Sequence, residues 1–517
     1  MKKIKKIDLT VEQVNAFLKR AKELLSPEDY EILESMAETI HLLSQSVGKK
    51  SASVQRLLRM LFGKTTEKLD KIAGVKESRE PKPQKEKKKG NGRKAAAEYT
   101  AAEKVNVSHP SIKSGDNCPE CLKGKVYEQK IPRLIVRITG NAPLSGIVYQ
   151  LQRLRCNLCG EIFTATAPDG VGEEKYDANA KAVIALLKYG SGMPFYRIEK
   201  LQKSMGIPLP SSTQFEIVDR LATELEPVYL ELLRNAAQGD VIYNDDTTMK
   251  ILTLMQEKDP QRKGIFTTGI LSTSDDHRIA LFFTGRQHAG ENLNDLLEHR
   301  TNHSPPIQMC DALSRNIPKD FKTMLANCLS HGRRSFVEVL QNFPDECQYV
   351  LEILAQVYNN DQIAKEQKLT VDERLYFHQE HSGPLMKSLN SWFHEQLDQN
   401  LIEPNSGLGQ AIRYMIKHWD ALTLFLKVPN APLDNNICEQ ALKKTILHRK
   451  NSLFYRTEHG AQVGDLFMSL IHTCNLNDIN PFDYLATLQK HASELATCPQ
   501  KWLPWNYTSA VIEKQPS

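Results

Sequence analysis

PLDNNICEQALKKTILHRKNSLFYRTEHG, running from Pro432 to Gly460, places one carboxylate, Glu439, on a strongly basic helix. Asp434-Asn435-Asn436 reads as a helix N-cap, because short polar side chains accept hydrogen bonds from the free N–H groups of a first turn. Glu439 follows, and then Lys443, Lys444, His448, Arg449 and Lys450. An acid among so many cations is ordinarily a surface ion pair. A second use exists: the cations suit a phosphate backbone, and the acid suits a metal ion working on that backbone. The rest of the chain decides between them.

Upstream, the hydrophobic pattern is strand-like. Val241-Ile242-Tyr243 reads as a short apolar strand ending in Asn244-Asp245-Asp246. Gly264 to Ser272 and Arg278 to Thr284 are β-rich and joined by the turn Ser274-Asp275-Asp276-His277. A polar helix from Glu291 to Arg300 precedes another strand, Ile307 to Cys310, which ends at Asp311. Lys322 to Leu329 reads as a fifth strand, and from Phe336 to about Val428 the pattern is helical. The order β-β-β-α-β followed by helices predicts a ribonuclease-H-like catalytic domain, interrupted by an all-helical insertion before its last catalytic helix.

In such a sheet the ends of the first and fourth strands lie side by side. Asp245 and Asp311 would then meet, and Glu439 would close the set. Acidic side chains converging on two hard cations about 3.5–4 Å apart are what two-metal phosphoryl chemistry requires, and oxygen ligands select Mg²⁺ (or Mn²⁺). Strand alternation turns only one of Asp245 and Asp246 toward the site. Asp275 and Asp276 read as turn residues. Each acid taken alone is an ordinary turn or cap residue; the set carries the reading.

The totals agree with a large multidomain α/β chain. Its 517 residues allow three or four domains. No run of about 18 apolar residues is present, so no membrane span is expected. MKKIKKIDL at the N-terminus is basic but lacks the apolar stretch of a signal peptide, which predicts a cytoplasmic protein. The net charge of +5 is modest, yet Lys76 to Lys94 alone carries an excess of six positive charges.

Eight segments follow along the chain. Residues 1–74 read as helical. Thr10-Val11-Glu12-Gln13 makes a capping box, Ser26-Pro27 opens a second helix, and Leu33, Met36, Ile40, Leu43, Val47, Val54, Leu57 and Leu61 keep a heptad with Lys50 in the interrupted slot. That pattern fits either a coiled coil joining copies of the chain into a homo-oligomer or an amphipathic helix packing on its own chain. Residues 75–98 are Pro-, Lys- and Glu-rich and read as a disordered basic linker, a solvated tether compatible with weak DNA contact. Residues 99–170 form a β-rich module around Cys118-Pro119-Glu120-Cys121 and Cys156-Asn157-Leu158-Cys159. Two such knuckles complete a tetrahedral four-cysteine Zn²⁺ site with no open position, so this zinc is structural, as in a zinc ribbon. Arg153 and Arg155 beside the second knuckle are candidate phosphate contacts. Residues 171–236 are helical, with a bend or restart expected at Glu226-Pro227, and are assigned to DNA binding. Residues 237–345 begin the ribonuclease-H-like core, 346–430 are the helical insertion, 431–475 hold the catalytic helix and complete the core, and 476–517 form a C-terminal segment.

Several longer motifs now stand in order: LLRMLFGKTTEKLD (Leu57–Asp70), NGR (Asn91–Arg93), LLKYGSGMPFYRIEKLQKSMGIPLPSST (Leu186–Thr213), DDTTMKIL (Asp245–Leu252), CLSHGRRSFVE (Cys328–Glu338), PLDNNICEQALKKTILHRKNSLF from Pro432, and PQKWLPWNY (Pro499–Tyr507). Together they resemble the transposases of the insertion-sequence 66 family over most of the chain. The resemblance implies a DDE transposase that binds the ends of a bacterial mobile element and joins them to target DNA with Mg²⁺. It implies Asp245, Asp311 and Glu439 as the acidic triad and places His331, Arg333 and Arg334 near the active site, where the residues alone read as a solvated basic turn. It further implies double-stranded DNA as partner, with accessory proteins of the same element. The chain departs from the family pattern at Asp246 (Glu), Thr248 (Pro), Ala312-Leu313 (Gly-Tyr), Gln440 (Arg) and Lys443 (Arg). The rival readings are a non-catalytic zinc-containing DNA-binding protein derived from a transposase, a ribonuclease-H-like nuclease without transposition, and a helical scaffold with a zinc staple.

Overall fold

A computed structural model describes residues 174–257, 262, 264–274 and 277–512, the segments 143–155 and 162–166, and short stretches at 19–22, 26, 30, 33, 111, 113–117, 119, 123–127 and 168. The heptad from Met36 onward, the basic linker, the four knuckle cysteines, Asp275 and Asp276 lie outside the described residues.

Seven strands are described: β1 (Arg153–Arg155), β2 (Ile162–Thr164), β3 (Val241–Thr248), β4 (Phe266–Thr273), β5 (Arg278–Gly285), β6 (Ile307–Cys310) and β7 (Met324–Asn327). The first two form an antiparallel pair, Arg153 opposite Thr164. The other five make one sheet in the order β5-β4-β3-β6-β7. β3 pairs antiparallel with β4 and parallel with β6, so β4 alone runs against the rest. The longer helices are α1 (Ala178–Ala185), α2 (Phe195–Ser204), α3 (Ser211–Ala236), α4 (Ala289–Leu297), α5 (Leu329–Val339), α6 (Pro344–Glu366), α7 (Val371–His381), α8 (Gly383–Asp398), α9 (Gly407–Lys417), α10 (Asn436–Ser452), α11 (Glu458–Leu476) and α12 (Pro481–Lys490). The result is a mixed α/β chain with a five-stranded sheet and many helices. No described helix is long and apolar enough to cross a membrane.

Two cores flank the sheet. One joins α1, α3, α11 and α12 to β4 and β5 through Ile184, Leu225, Ile270, Leu281, Phe467 and Tyr484. The other joins β6 and β7 to α5, α6, α8 and α9 through Met309, Ala326, Phe336, Leu354, Phe393 and Met415.

Three local expectations are corrected. β3 does not end at the acids but continues to Thr248, because β4 supplies ladder partners as far as Phe266. Pro227 neither ends nor restarts its helix; α3 runs unbroken through it, with Leu225 and Val228 fully buried on either side. The HGRR stretch is not a turn, since α5 already starts at Leu329 and buries Leu329, Gly332 and Phe336.

The free edge of β5 is sealed by α11. Asp465, Ser469, Thr473 and Asn477 recur every four residues along one face of α11 and its C-cap. They accept from the backbone N–H groups of Thr284, Phe282, Ala280 and Arg278 at 2.6, 3.0, 3.1 and 3.1 Å. Four helical residues and two strand residues advance by similar distances, about 6 Å and about 6.8 Å, so the match holds across all four contacts. A helix thereby satisfies an edge that a further strand would otherwise pair.

Candidate functional site

β3 places Asp245 and Asp246 on opposite faces of the sheet. Asp246 points to the α4 side, where its side chain is 2 % exposed and meets His288 Nδ1 at 2.9 Å and Arg315 at 3.2 Å. The Arg315 guanidinium pairs with its charge there. Asp245 points to the α10 side and accepts only the neighbouring Asp246 N–H, at 2.8 Å. Burial pushes the Asp245 carboxyl up to about 6, with the charges of Asp246 and Asp311 adding to the rise and His331 opposing it.

Asp311 follows β6. The β3–β6 pairs Val241–Ile307, Ile242–Gln308 and Tyr243–Met309, continued by two residues, bring Asp311 level with Asp245. The two acids thus stand at neighbouring positions at one end of the sheet. Asp311 is partly buried and accepts the Ala312 N–H at 2.7 Å.

α10 carries Glu439 to the same end. The helix lies low on the sheet because Gly269, opposite Asp245 in β4, has no side chain; a Cβ there would stand 3.0 Å from Leu442. Cys438 Sγ donates to Gly269 O at 3.4 Å. At the start of the helix, Asn435 does not cap with its side chain. It donates instead to Asn244 O at 3.2 Å, tying α10 to the residue before Asp245. Asn244 belongs to a buried network in which Gln308 Nε2 reaches Asn244 Oδ1 at 3.0 Å and both side chains donate to Asn316 O at 2.7 Å. Such a network fixes β3, β6 and α10 relative to one another. Sequence reasoning missed it; Asn435 was readable only as a cap.

The N-termini of α5 and α10 meet beside this end. Leu329 N–H donates to Leu433 O at 3.0 Å, and Asn435 N–H to Cys328 Sγ at 3.3 Å. His331, one turn into α5, brings Nε2 to 3.7 Å from Glu439 Oε1. Glu439 Oε1 and His331 Nδ1 are buried without a hydrogen-bond partner. Among the described residues, Cys328, His331 and Glu439 form the group of three potential ligands whose ligand atoms lie within 4.8 Å of one another. Asp245 and Asp311 stand outside that group. The structure therefore brings the two aspartates together and sets Glu439 against His331 and Cys328, rather than gathering all three carboxylates within one ion's reach.

The candidate nucleic-acid contacts divide. Lys443, Lys444 and Lys450 are exposed on α10. Arg449 is pinned to the end of β3, donating to Thr247 Oγ1 at 3.2 Å, to Thr248 Oγ1 at 2.8 Å and to Thr248 O. His448 does not belong to the basic flank. It is 2 % exposed, stacks against Tyr455 at 4.9 Å, and burial lowers its imidazole to about 3, which keeps it neutral. Arg333 and Arg334 are partly buried on α5, and Arg153 is exposed on β1 beside Arg155.

The family model described as "Transposase IS66 family" matches residues 174–463. That span covers the helices before the sheet, the sheet itself, the helices between β7 and α10, and α10. Similar chains occur in Sinorhizobium fredii. "Uncharacterized protein y4jD" is 27 % identical over 379 residues, 70 % of this chain and 72 % of that one. "Uncharacterized protein y4hP" is 27 % identical over 389 residues, 69 % of this chain and 67 % of that one. "Uncharacterized protein y4qI" is 24 % identical over 349 residues.

Proposed function

The chain belongs to the transposase IS66 family, and from that premise we propose that it binds the ends of an insertion sequence and cuts and joins DNA with divalent metal. Asp245, Asp311 and Glu439 are the acids assigned to this chemistry. The observation that carries the reading is the juxtaposition of Asp245 and Asp311 beneath the N-terminus of α10, with Glu439 in its first turn. The strand order β5-β4-β3-β6-β7, with β4 alone reversed, supports a ribonuclease-H-like core.

These residues fit a hard divalent cation. Asp245 and Asp311 are like charges side by side with no cationic side chain paired to either, in contrast to Asp246 next to them. Glu439 Oε1 is buried without a hydrogen bond, with only His331 Nε2 near it at 3.7 Å. Mg²⁺ bound here would supply charge neutralisation at the attacking and leaving oxygens. Two ions spread their ligands over a wider span than one, so the acids need not share a single shell. The chain's own residues do the positioning. Asn435 and Asn244 hold α10 against β3, and Arg449 fixes the end of β3. Lys443, Lys444 and Lys450 offer an exposed cationic flank to the DNA backbone, with Arg153, Arg155, Arg333 and Arg334 as further candidate contacts.

The same proposal gives the zinc ribbon to residues around Cys118, Cys121, Cys156 and Cys159. Asn117 and Lys125 form an antiparallel bridge across the first knuckle, and β1 and β2 pair antiparallel across the second. Paired backbone on either side of each knuckle supports a ribbon that presents two thiolates from each to one ion.

Strand transfer on DNA carrying the element's ends tests the catalytic assignment. Glu439→Gln should abolish joined product while leaving DNA binding; undiminished joining would overturn it. Cleavage without joined product in the wild-type chain would instead favour a nuclease.

A further inference from the structure

The donor set at the meeting of α5 and α10 is not one that Mg²⁺ selects. Mg²⁺ takes oxygen ligands, whereas thiolate, imidazole and carboxylate together suit borderline ions such as Zn²⁺ or Co²⁺. Cys328 precedes α5 and His331 lies in its first turn, so both ligands come from one helix end. Glu439 lies in the first turn of α10, and the two starts are held together by the Leu329–Leu433 and Asn435–Cys328 hydrogen bonds. Ligands around a tetrahedral ion with bonds of about 2.0–2.3 Å stand roughly 3.5 Å apart. His331 Nε2 and Glu439 Oε1 are already at 3.7 Å, and all three ligand atoms fall within 4.8 Å of one another. A contraction of about 1 Å closes the site. Glu439 Oε1 is buried without a hydrogen bond and faces only His331 Nε2 at 3.7 Å, so it is a polar atom that a bound cation would complete.

We propose that Cys328, His331 and Glu439 form a second metal site, separate from the four-cysteine module, that takes one Zn²⁺-class ion and leaves its fourth position open. Binding displaces the Cys328 thiol proton to solvent and forms the metal–sulfur bond. The site shares Glu439 with the acids assigned to Mg²⁺. A zinc-class ion there withdraws Glu439 from the phosphoryl chemistry and inhibits it; this consequence, unlike the binding itself, rests on the function proposed above.

Zinc content of the full-length protein after equilibration with excess Zn²⁺ and removal of free metal is the direct test. Cys328→Ser and His331→Gln should each hold one equivalent less than wild type. In Co²⁺-loaded protein, the wild-type-minus-Cys328→Ser spectrum should show thiolate-to-cobalt charge transfer. Should Cys328→Ser fail to fold, His331→Gln carries the same comparison. Equal zinc content in wild type and a folded variant overturns the site. For the inhibitory consequence, Mg²⁺-supported cleavage by each protein is titrated with Zn²⁺ and expressed relative to its own zinc-free rate. Half-inhibition should require at least about tenfold more zinc in Cys328→Ser, and equal half-inhibition overturns the sharing of Glu439. Absence of cleavage by wild type at any zinc level would count against the proposed function and leave the binding result standing.

Discussion

Two regions of this molecule bury carboxylates, and they treat them differently. At the α11–β5 seam, Asp465 is enclosed but answered: one oxygen accepts the Thr284 N–H at 2.6 Å and the other the Thr284 hydroxyl at 2.7 Å. At the α10 end of the sheet, Asp245 has one local backbone donor, and Glu439 Oε1 has none. Burial raises both aspartates, Asp465 to about 7 and Asp245 to about 6. A raised proton affinity therefore does not separate structural acids from functional ones. What separates them is whether the protein has supplied the donors. An acid with its hydrogen bonds filled belongs to the fold; an acid left short of partners beside a second acid is available to a ligand.

The largest effects should come from substitutions that break this division cleanly. Asp245→Asn should lower DNA cleavage by at least about 100-fold, the scale on which single groups stabilising developing charge act. The thermal midpoint should not fall, because the change removes a charge that sits next to Asp311. Single-turnover cleavage and a melting curve on the same sample check both halves. A large loss of stability with retained cleavage would move Asp245 into the structural class.

Asp465→Ala should behave in the opposite way. It leaves the N–H of Thr284 unanswered at a sealed strand edge and takes one partner from its hydroxyl, at a cost of about 3 kcal/mol. Urea unfolding measures this, and the folded fraction should still cleave. Asn435→Ala falls between the two. It loses the bond to Asn244 O, for about 1 kcal/mol, and loosens α10 over β3, for roughly tenfold in rate. If stability alone changed, Asn435 would serve only the fold.

The two regions also differ in how much of them could be read from the chain. β6 is legible to the residue, because IQMC is a short, mostly apolar run bounded by prolines before it and Asp311 after it. Its acid, Asp311, followed from that. β3 outruns its apolar stretch, since Asn-Asp-Asp-Thr-Thr is poor strand sequence and only the pairing with β4 extends it. The polar stripe Asp465, Ser469, Thr473, Asn477 was in plain view at helical spacing, but its purpose lies in β5, nearly two hundred residues away. The start of α5 was hidden by its charges; His331 and Gly332 look like turn residues until Glu439 and Met415 are set against them. His448 reads in the sequence as one of a basic run, and its burial depends on Tyr189 and Tyr455 from other segments. Local pattern fixes elements, and long-range partners decide what their polar residues are for.

The pH dependence of stability is the most discriminating test. Asp245 holds its proton to about pH 6 in the folded chain, above its ordinary 3.8. Between roughly pH 4 and 6 the folded state therefore binds more protons here than the unfolded one, and stability falls as pH rises through that window. Asp465 contributes in the same direction, with its window reaching about pH 7. Divalent cation separates the two contributions. Mg²⁺ competes with the proton at Asp245 and stabilises the folded state more as pH rises, so it should flatten the decline up to pH 6. It has no access to Asp465, whose share should persist to pH 7. The measurement is the thermal midpoint across pH 4–8 with and without Mg²⁺. Asp245→Asn should show the shallower decline with and without Mg²⁺ alike. If Mg²⁺ leaves the wild-type profile unchanged, the unfilled acids are not a cation site, and the contrast between the two regions loses its chemical meaning.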